Sequence, residues 1–247
     1  MNHLNNNVSQ ADLNEIRKQY QGEDLDIVLN KIASGYPVQY VLGNVNFCGN
    51  NIKVNENVLI PRFETEFLVD LIKRTIPNDA SLKMIDLGTG SGCIAISLAK
   101  IFQNSKITGI DISNKAIDIA EHNKELNKVT NVTFNTSDMK LIENYNGFNI
   151  IISNPPYVSK EEETGPETKY EPQNAIFASN NGLYYYEDIL KKVSLSTNKP
   201  DHIFFEIGMN QSNPILKISN KYLPNYTCDT HKDLAGKDRY IHIYLNK

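Results

Sequence analysis

Hydrophobic positions recur along this chain with two different periods. Up to about Ser34 they are sparse and helically spaced, with Asp24 placed to cap a helix carrying Leu25, Ile27, Val28, Leu29 and Ile32. So short an apolar stripe cannot bury a core alone and must dock on the rest of the chain. After Pro37 the period shortens. Val45 and Phe47, then Ile52 and Val54, alternate on either side of Gly49-Asn50-Asn51, which predicts a β-hairpin. Val58-Leu59-Ile60-Pro61 then leads into a predicted helix from Glu64 to Arg74, whose Phe67, Leu68, Leu71 and Ile72 share one face.

From Lys83 short apolar runs alternate with longer amphipathic ones. Strands are predicted at 84–87, 106–110, 132–134 and 148–152, with helices at 92–102 and at 114–127, the latter capped by Ser113. A helix at 183–195, a strand at 202–205, a helix at 214–222 and a closing hairpin of 226–230 with 240–245 complete the pattern. Strands separated by helices of ten or more residues imply parallel pairing through right-handed crossovers, so the fold class is α/β with a doubly wound, mostly parallel sheet. Residues 159–181 interrupt the rhythm. A loop of that length directly after a strand is expected to act as a lid over the carboxyl ends of the strands, where open α/β sheets bind ligands.

Composition narrows the function classes. The 247 residues carry a net charge of −4 with 40% hydrophobic residues, enough for a large core. No apolar run is long enough to cross a bilayer and the polar opening has no signal-peptide core, so a soluble, cytoplasmic protein without membrane contact is expected. No basic stripe suited to a nucleic-acid backbone is present. Cys48, Cys93 and Cys228 form no paired spacing, and the five histidines no ligand spacing, so neither disulfides nor a metal is expected.

The chemistry concentrates in two places. Asp86-Leu87-Gly88-Thr89-Gly90-Ser91-Gly92 joins a strand to a helix, and its glycines allow positive φ and close approach of a ligand to the backbone. It is shorter than the dinucleotide fingerprint and has an acid before the first glycine. That carboxylate would repel a pyrophosphate but can hold, directly or through water, a ligand bearing an ammonium group and a positive sulfur. Asp111, at the end of the next strand, is placed to accept from two ribose hydroxyls. Taken singly these are a tight turn and a helix-capping acid. Together they indicate adenosine binding, with S-adenosylmethionine ahead of NAD. Asp138 and Met139, after the third strand, join this set, Asp138 within reach of the adenine amino group or else a plain turn acid.

The second place is Asn154-Pro155-Pro156-Tyr157, delivered by the run Ile150-Ile151-Ile152-Ser153. Two prolines fix φ and have no amide hydrogens, leaving carbonyl oxygens as the backbone's hydrogen-bonding capacity. An Asn side-chain oxygen and a neighbouring carbonyl suit both hydrogens of an NH2 group. A carboxamide nitrogen is a poor nucleophile; acceptors that hold it tilted expose its lone pair and stabilise the charge that develops on it. Tyr157 offers a flat wall to a planar substrate. A rigid strand-ending turn is the plain alternative for the tetrapeptide alone.

In motif and order the chain resembles class I S-adenosylmethionine-dependent methyltransferases, specifically the HemK/PrmC family. The resemblance runs from about Pro37 to the C-terminus through Pro37-Val38-Gln39-Tyr40, Pro61-Arg62 with Thr65-Glu66, the glycine loop, Asp111, the Asn-Pro-Pro-Tyr segment, Tyr170-Glu171-Pro172, Asn181-Gly182-Leu183, Glu206-Ile207-Gly208 and Asp238-Arg239-Tyr240. It implies a seven-stranded sheet, a helical N-terminal region with a linking hairpin (1–58) and a methyltransferase domain (59–247). It also implies methylation of the glutamine side-chain nitrogen in the Gly-Gly-Gln motif of class I peptide-chain release factors. Asn154, Pro155, Pro156 and Tyr157 would then bind substrate and carry catalysis. Asp86, Gly88, Thr89, Gly90, Ser91, Gly92, Asp111, Asp138, Met139 and Asn154 would hold the cofactor. Only 36 residues precede Pro37, fewer than the family's helical domain usually has, so a reduced or rearranged grip on the release factor is expected.

Arg62 and Glu66 taken alone read as a surface ion pair worth at most about 1 kcal/mol; the resemblance gives them a part in shaping the substrate pocket. Glu161-Glu162-Glu163 reads as a solvated loop face, and Tyr184-Tyr185-Tyr186 as helix packing. Two other activities share the Asn-Pro-Pro-Tyr chemistry: amino methylation of DNA or RNA at adenine N6, which calls for a basic surface, and methylation of a ribosomal-protein glutamine. A donor-binding module without catalysis is the alternative from another class.

Overall fold

The computed structural model describes residues 8–245. Its centre is a seven-stranded sheet. β1 (Asn44–Phe47) and β2 (Asn50–Lys53) form a separate antiparallel hairpin. The large sheet consists of β3 (Lys83–Leu87), β4 (Lys106–Asp111), β5 (Val132–Thr136), β6 (Ile150–Ser153), β7 (His202–Glu206), β8 (Tyr226–Lys232) and β9 (Asp238–Leu245), in the order β5-β4-β3-β6-β7-β9-β8. The first five in that order are parallel, and β9 and β8 close the edge antiparallel.

Side-chain alternation splits the core in two. Met84, Ile150, Ile152 and Phe204 face one way, under α4 (Phe63–Thr75), α5 (Cys93–Ile101) and α6 (Asn114–Leu126). Ile85, Leu87, Ile151, Ile203 and Phe205 face the other way, under α7 (Tyr184–Leu195) and α8 (Ser212–Tyr222). Strands buried on both faces are what a parallel sheet requires, and β6 is accordingly apolar throughout until Ser153.

The N-terminal region differs in detail from the sequence expectation. It forms two helices, α1 (Gln10–Gln19) and α2 (Gly22–Ala33). Ser9 caps the first, with its side chain and that of Asp12 bonded reciprocally to the backbone. Asp24 caps nothing. Gln21 occupies the N-cap of α2, and Asp24 sits in the first turn, where a carboxylate still favours the positive helix end. A short α3 (Val38–Leu42) follows Pro37, whose fixed φ starts it, and Gly43 at φ +71° ends it. Ile16, Ile32 and Val38 form a small core of their own, and the β1-β2 hairpin is tied to α6 by Asn123, which bonds the Lys53 N–H (2.7 Å) and carbonyl (3.0 Å).

The long loop is held down rather than free. It contains two 3-10 turns, Pro166–Tyr170 and Gln173–Ala175, and Val158 and Phe177 form a parallel bridge across its base. Glu171 is the anchor. Its buried carboxylate accepts the Ile60 N–H at 3.0 Å and pairs with Arg62. No helix among the described residues is long and apolar enough to cross a membrane.

Candidate active site

The strand order reverses between β3 and β6, and a crevice opens at such a switch point. Here the chain leaves β3 into the glycine loop and leaves β6 into Asn154, so both sequence motifs reach one cleft. The cleft, of about 290 Å³, is lined by Gly88 and Gly90, by Asp111 and Ile112, by Asp138, Met139 and Lys140, by Asn154 and Pro156, and by Tyr185. The lining is completed by Glu56 to Leu59 after the hairpin and by Pro172, Asn174 and Ala175 of the long loop.

The glycine loop takes its shape from β4. The N–H groups of Gly88 and Thr89 both donate to the Ile110 carbonyl, at 2.9 and 2.8 Å. The Gly90 N–H donates to Asp111 Oδ2 at 3.0 Å. Gly90 has φ +53° and no atom within 4 Å of where a Cβ would sit, so its backbone is bare toward the cleft. At Gly92 the constraint is packing: a Cβ would meet Phe134 Cζ at 2.8 Å. Thr89, Ser91 and Gly92 are buried and do not line the cleft; they brace the turn from which Gly88 and Gly90 face it.

Two carboxylates stand at the strand ends. Asp111 Oδ1 accepts the Ser113 N–H at 2.9 Å and Oδ2 the Gly90 N–H, which fixes its plane while each oxygen keeps a lone pair for a ligand hydroxyl. Burial raises its pKa, opposed by those backbone bonds. Asp86 lies beneath the loop, fully buried and off the cleft lining. Its Oδ2 accepts the Thr89 hydroxyl at 2.6 Å, and its Oδ1 has no partner among the described residues. Burial first, and Asp111 to a smaller degree, push its carboxyl up to about 7. A buried carboxylate oxygen left unpaired is costly. From beneath the loop its charge favours a positive group on a ligand in the cleft. Asp138 caps the 3-10 turn Met139–Leu141 by accepting the Lys140 N–H at 2.9 Å, and both Asp138 and Met139 line the cleft.

Asn154 is oriented from behind. Its Nδ2 donates to Thr65 Oγ1 at 3.3 Å, and that hydroxyl donates to Glu206 Oε2 at 2.7 Å. With the amide nitrogen so engaged, the amide oxygen is the end left for a ligand. Pro155 and Pro156 are both buried, and of the two only Pro156 lines the cleft. The Tyr157 carbonyl is taken by Gln211 Nε2 at 2.9 Å, which leaves the carbonyls before it as candidate acceptors. Tyr157 itself stays off the cleft lining and packs on the second core, its hydroxyl pushed up to about 12 by burial and by Glu206.

Arg62 and Glu66 do not pair. Arg62 reaches Glu171 and lines a neighbouring cavity with Tyr36, Val38 and Pro166. Glu66 lines a third, shallow cavity with Cys48, Phe63 and Phe67. One residue along a helix turns the side chain by about 100°, so with Thr65 facing Asn154, Glu66 faces away. Of the three tyrosines, Tyr186 is core, as expected, while Tyr185 contributes to the cleft.

A family described as a methyltransferase domain matches residues 78–222. A release factor glutamine methyltransferase of Fusobacterium nucleatum is 38% identical over 234 residues, covering 92% of this chain, which spans 65% of that protein's length. One from Lactococcus lactis is 37% identical over 237 residues, covering 94% of this chain and 87% of the relative.

This chain belongs to the release factor glutamine methyltransferase family.

Among solved structures, the hMettl16 catalytic domain in complex with a MAT2A 3′UTR hairpin superposes with a TM-score of 0.63 at 16% identity, over 81% of this chain and 77% of that one, and shares its fold. As a methyltransferase, the chain uses a methyl donor. In this family member the loop expected to overhang the strand ends does reach the cleft, through Pro172, Asn174 and Ala175, whereas the wall from Glu56–Leu59 carried no glycine or acid pattern that marked it as part of a ligand site. Ile112 did leave a trace: an apolar residue directly after the strand-end Asp111, 55% exposed beside the cleft.

Proposed function

We propose that this enzyme transfers a methyl group from S-adenosylmethionine to the side-chain amide nitrogen (N5) of the glutamine in the Gly-Gly-Gln motif of class I peptide-chain release factors. The observation that carries the reading is that Asn154 meets the same cleft as the glycine loop and Asp111 with its amide nitrogen already engaged, so that its oxygen is the acceptor on offer. The names of the relatives supply the substrate.

S-adenosylmethionine, when bound, supplies an electrophilic methyl on a sulfonium. Gly88 and Gly90 would receive it against bare backbone, Asp111 would accept from the ribose hydroxyls, and the buried charge of Asp86 would favour its ammonium group from beneath the loop. Ile112 and Met139 would pack against the adenine, with Asp138 at the rim. Asn154 Oδ1 would accept one hydrogen of the glutamine NH2, and a backbone carbonyl of the Asn154-Pro155-Pro156 run the other. Two acceptors hold the amide so that its lone pair, rather than a hydrogen, points at the methyl carbon, and they stabilise the positive charge arising on nitrogen. The extra proton on the methylated amide is acidic enough to leave to water.

Replacing Asn154 by Ala tests this. Turnover on a release factor should fall about 100-fold or more, as when an oriented charge-stabilising group is removed, with donor affinity changed far less. Unchanged turnover in Asn154→Ala, or faster methyl transfer to DNA or RNA than to the release factor, would overturn the reading.

A further inference from the structure

Asn154, Thr65 and Glu206 come from three separate elements: the end of β6, the first turn of α4 and the end of β7. Thr65 and Glu206 are 3% and 2% exposed, so water does not compete for their bonds. An amide has a donor end and an acceptor end that are nearly the same shape, so packing alone does not choose between its two orientations; a hydrogen-bond partner must. The choice is made here by proton direction. While the Thr65 proton is given to Glu206 Oε2 at 2.7 Å, the hydroxyl has only lone pairs left for Asn154, and the amide must present its Nδ2. We infer that Thr65 and Glu206 are positioning residues for methyl transfer, a buried relay that keeps the Asn154 oxygen turned toward the incoming carboxamide NH2. The inference rests on the proposed function and deepens it.

The same relay can run backwards. A protonated Glu206 can donate to Thr65, whose own proton then becomes available to the Asn154 oxygen, and the amide turned round would confront the substrate's N–H groups with N–H groups of its own. Several groups bear on Glu206. Arg239 and Tyr240 approach from β9, Glu64 from α4, Tyr157 from the segment after β6 and Tyr186 from α7. Burial is the largest influence and pushes its carboxyl up to about 7, against the opposing pull of the Thr65 hydroxyl, Arg239 and the Asn154 amide itself, which also faces the carboxylate. A carboxylate so poised leaves the relay direction sensitive to pH in the neutral range.

Thr65→Val removes the hydroxyl at nearly constant volume, Thr65→Ser keeps it, and Glu206→Gln keeps an acceptor without a titrating proton. With saturating donor and a release factor as substrate, Thr65→Val should lower kcat about 10- to 100-fold and leave donor affinity within about threefold, while Thr65→Ser should recover most of the loss. In the wild type kcat should fall as pH drops through about 7, and in Glu206→Gln that acid limb should disappear. A second readout needs no turnover: the Asn154 side-chain amide signals in the 15N spectrum of the free protein should titrate near that pH in the wild type and not in Thr65→Val. A folded, donor-binding Thr65→Val enzyme with wild-type kcat, equal losses in the Val and Ser variants, or an Asn154 signal that titrates in Thr65→Val just as in the wild type would overturn the relay. If the wild type failed to methylate the release factor, the substrate assignment would fall instead, and the amide spectrum would still decide the orientation.

Discussion

Replacing Gly182 by alanine should disable transfer while leaving the donor cleft intact. Gly182 has φ +79° and follows Asn180 and Asn181, also left-handed at +58° and +52°, in the turn that starts α7. A Cβ there would lie 1.9 Å from the Tyr157 carbonyl oxygen and 2.4 Å from Gln211 Nε2. To reach the closest tolerated contact of 3.0 Å the carbonyl would have to retreat by about 1 Å and the amide that holds it by about 0.6 Å. The left-handed backbone costs an alanine about 1–2 kcal/mol and the overpacking about 1–3 kcal/mol more, so unfolding free energy should drop by roughly 2–5 kcal/mol. A 1 Å displacement at the end of the Asn-Pro-Pro-Tyr segment should cost about 100-fold in kcat. Donor affinity by calorimetry should stay within about threefold, because Gly88, Gly90 and Asp111 belong to other strands. Gly236 is the control: it has φ +75° but nothing within 4 Å, so Gly236→Ala carries the backbone strain alone and should keep wild-type kcat. A Gly182→Ala protein with wild-type turnover at a temperature where it is folded would refute the reasoning.

Substitutions at three further residues test the same geometry. Asp86 has a folded pKa of about 7 against an ordinary 3.8, so its contribution to native stability is present below about pH 4 and lost as pH rises through about 7; Asp86→Asn should therefore raise the melting temperature of the free protein at about pH 8. Donor binding needs the ionised form and should weaken as pH falls through about 7, whereas Asp86→Asn should bind weakly with a flat profile in calorimetry. Glu171→Ala strips the Ile60 N–H and Arg62 of their partner, and because the guanidinium keeps access to water the loss should be about 2 kcal/mol by urea unfolding, with faster proteolysis of the 159–181 loop. Lys192 donates to the Met139 and Lys140 carbonyls at 2.9 and 2.8 Å while paired with Asp188, so Lys192→Met should loosen that cleft wall and weaken donor binding several-fold in calorimetry.

What the sequence made legible was local. Ser113 does cap α6, the apolar runs do become strands, and the Gly88-to-Gly92 turn does meet Asn154 across a switch point, because periodicity and turn chemistry act over a few residues. Asp24 misled because an acid inside a first turn and an acid at the cap look alike in sequence. What ties the loop after Tyr157 down could not be read locally, because its anchor, Glu171, finds Ile60 more than a hundred positions earlier. Thr65 and Glu206 are 141 positions apart, and no local pattern ties a helix threonine to a strand-end acid. Glu66 drew notice as the charged member of its pair, while its quieter neighbour Thr65 faces the site. Long-range polar contacts are where pattern reading stopped.

The most direct measurement is mass spectrometry of a class I release factor incubated with the pure protein and isotopically labelled S-adenosylmethionine. One methyl group on the glutamine of the Gly-Gly-Gln peptide, at the side-chain nitrogen and absent when that glutamine is replaced by alanine, is the predicted result. Label appearing equally on the alanine variant, or on another residue, would contradict the account.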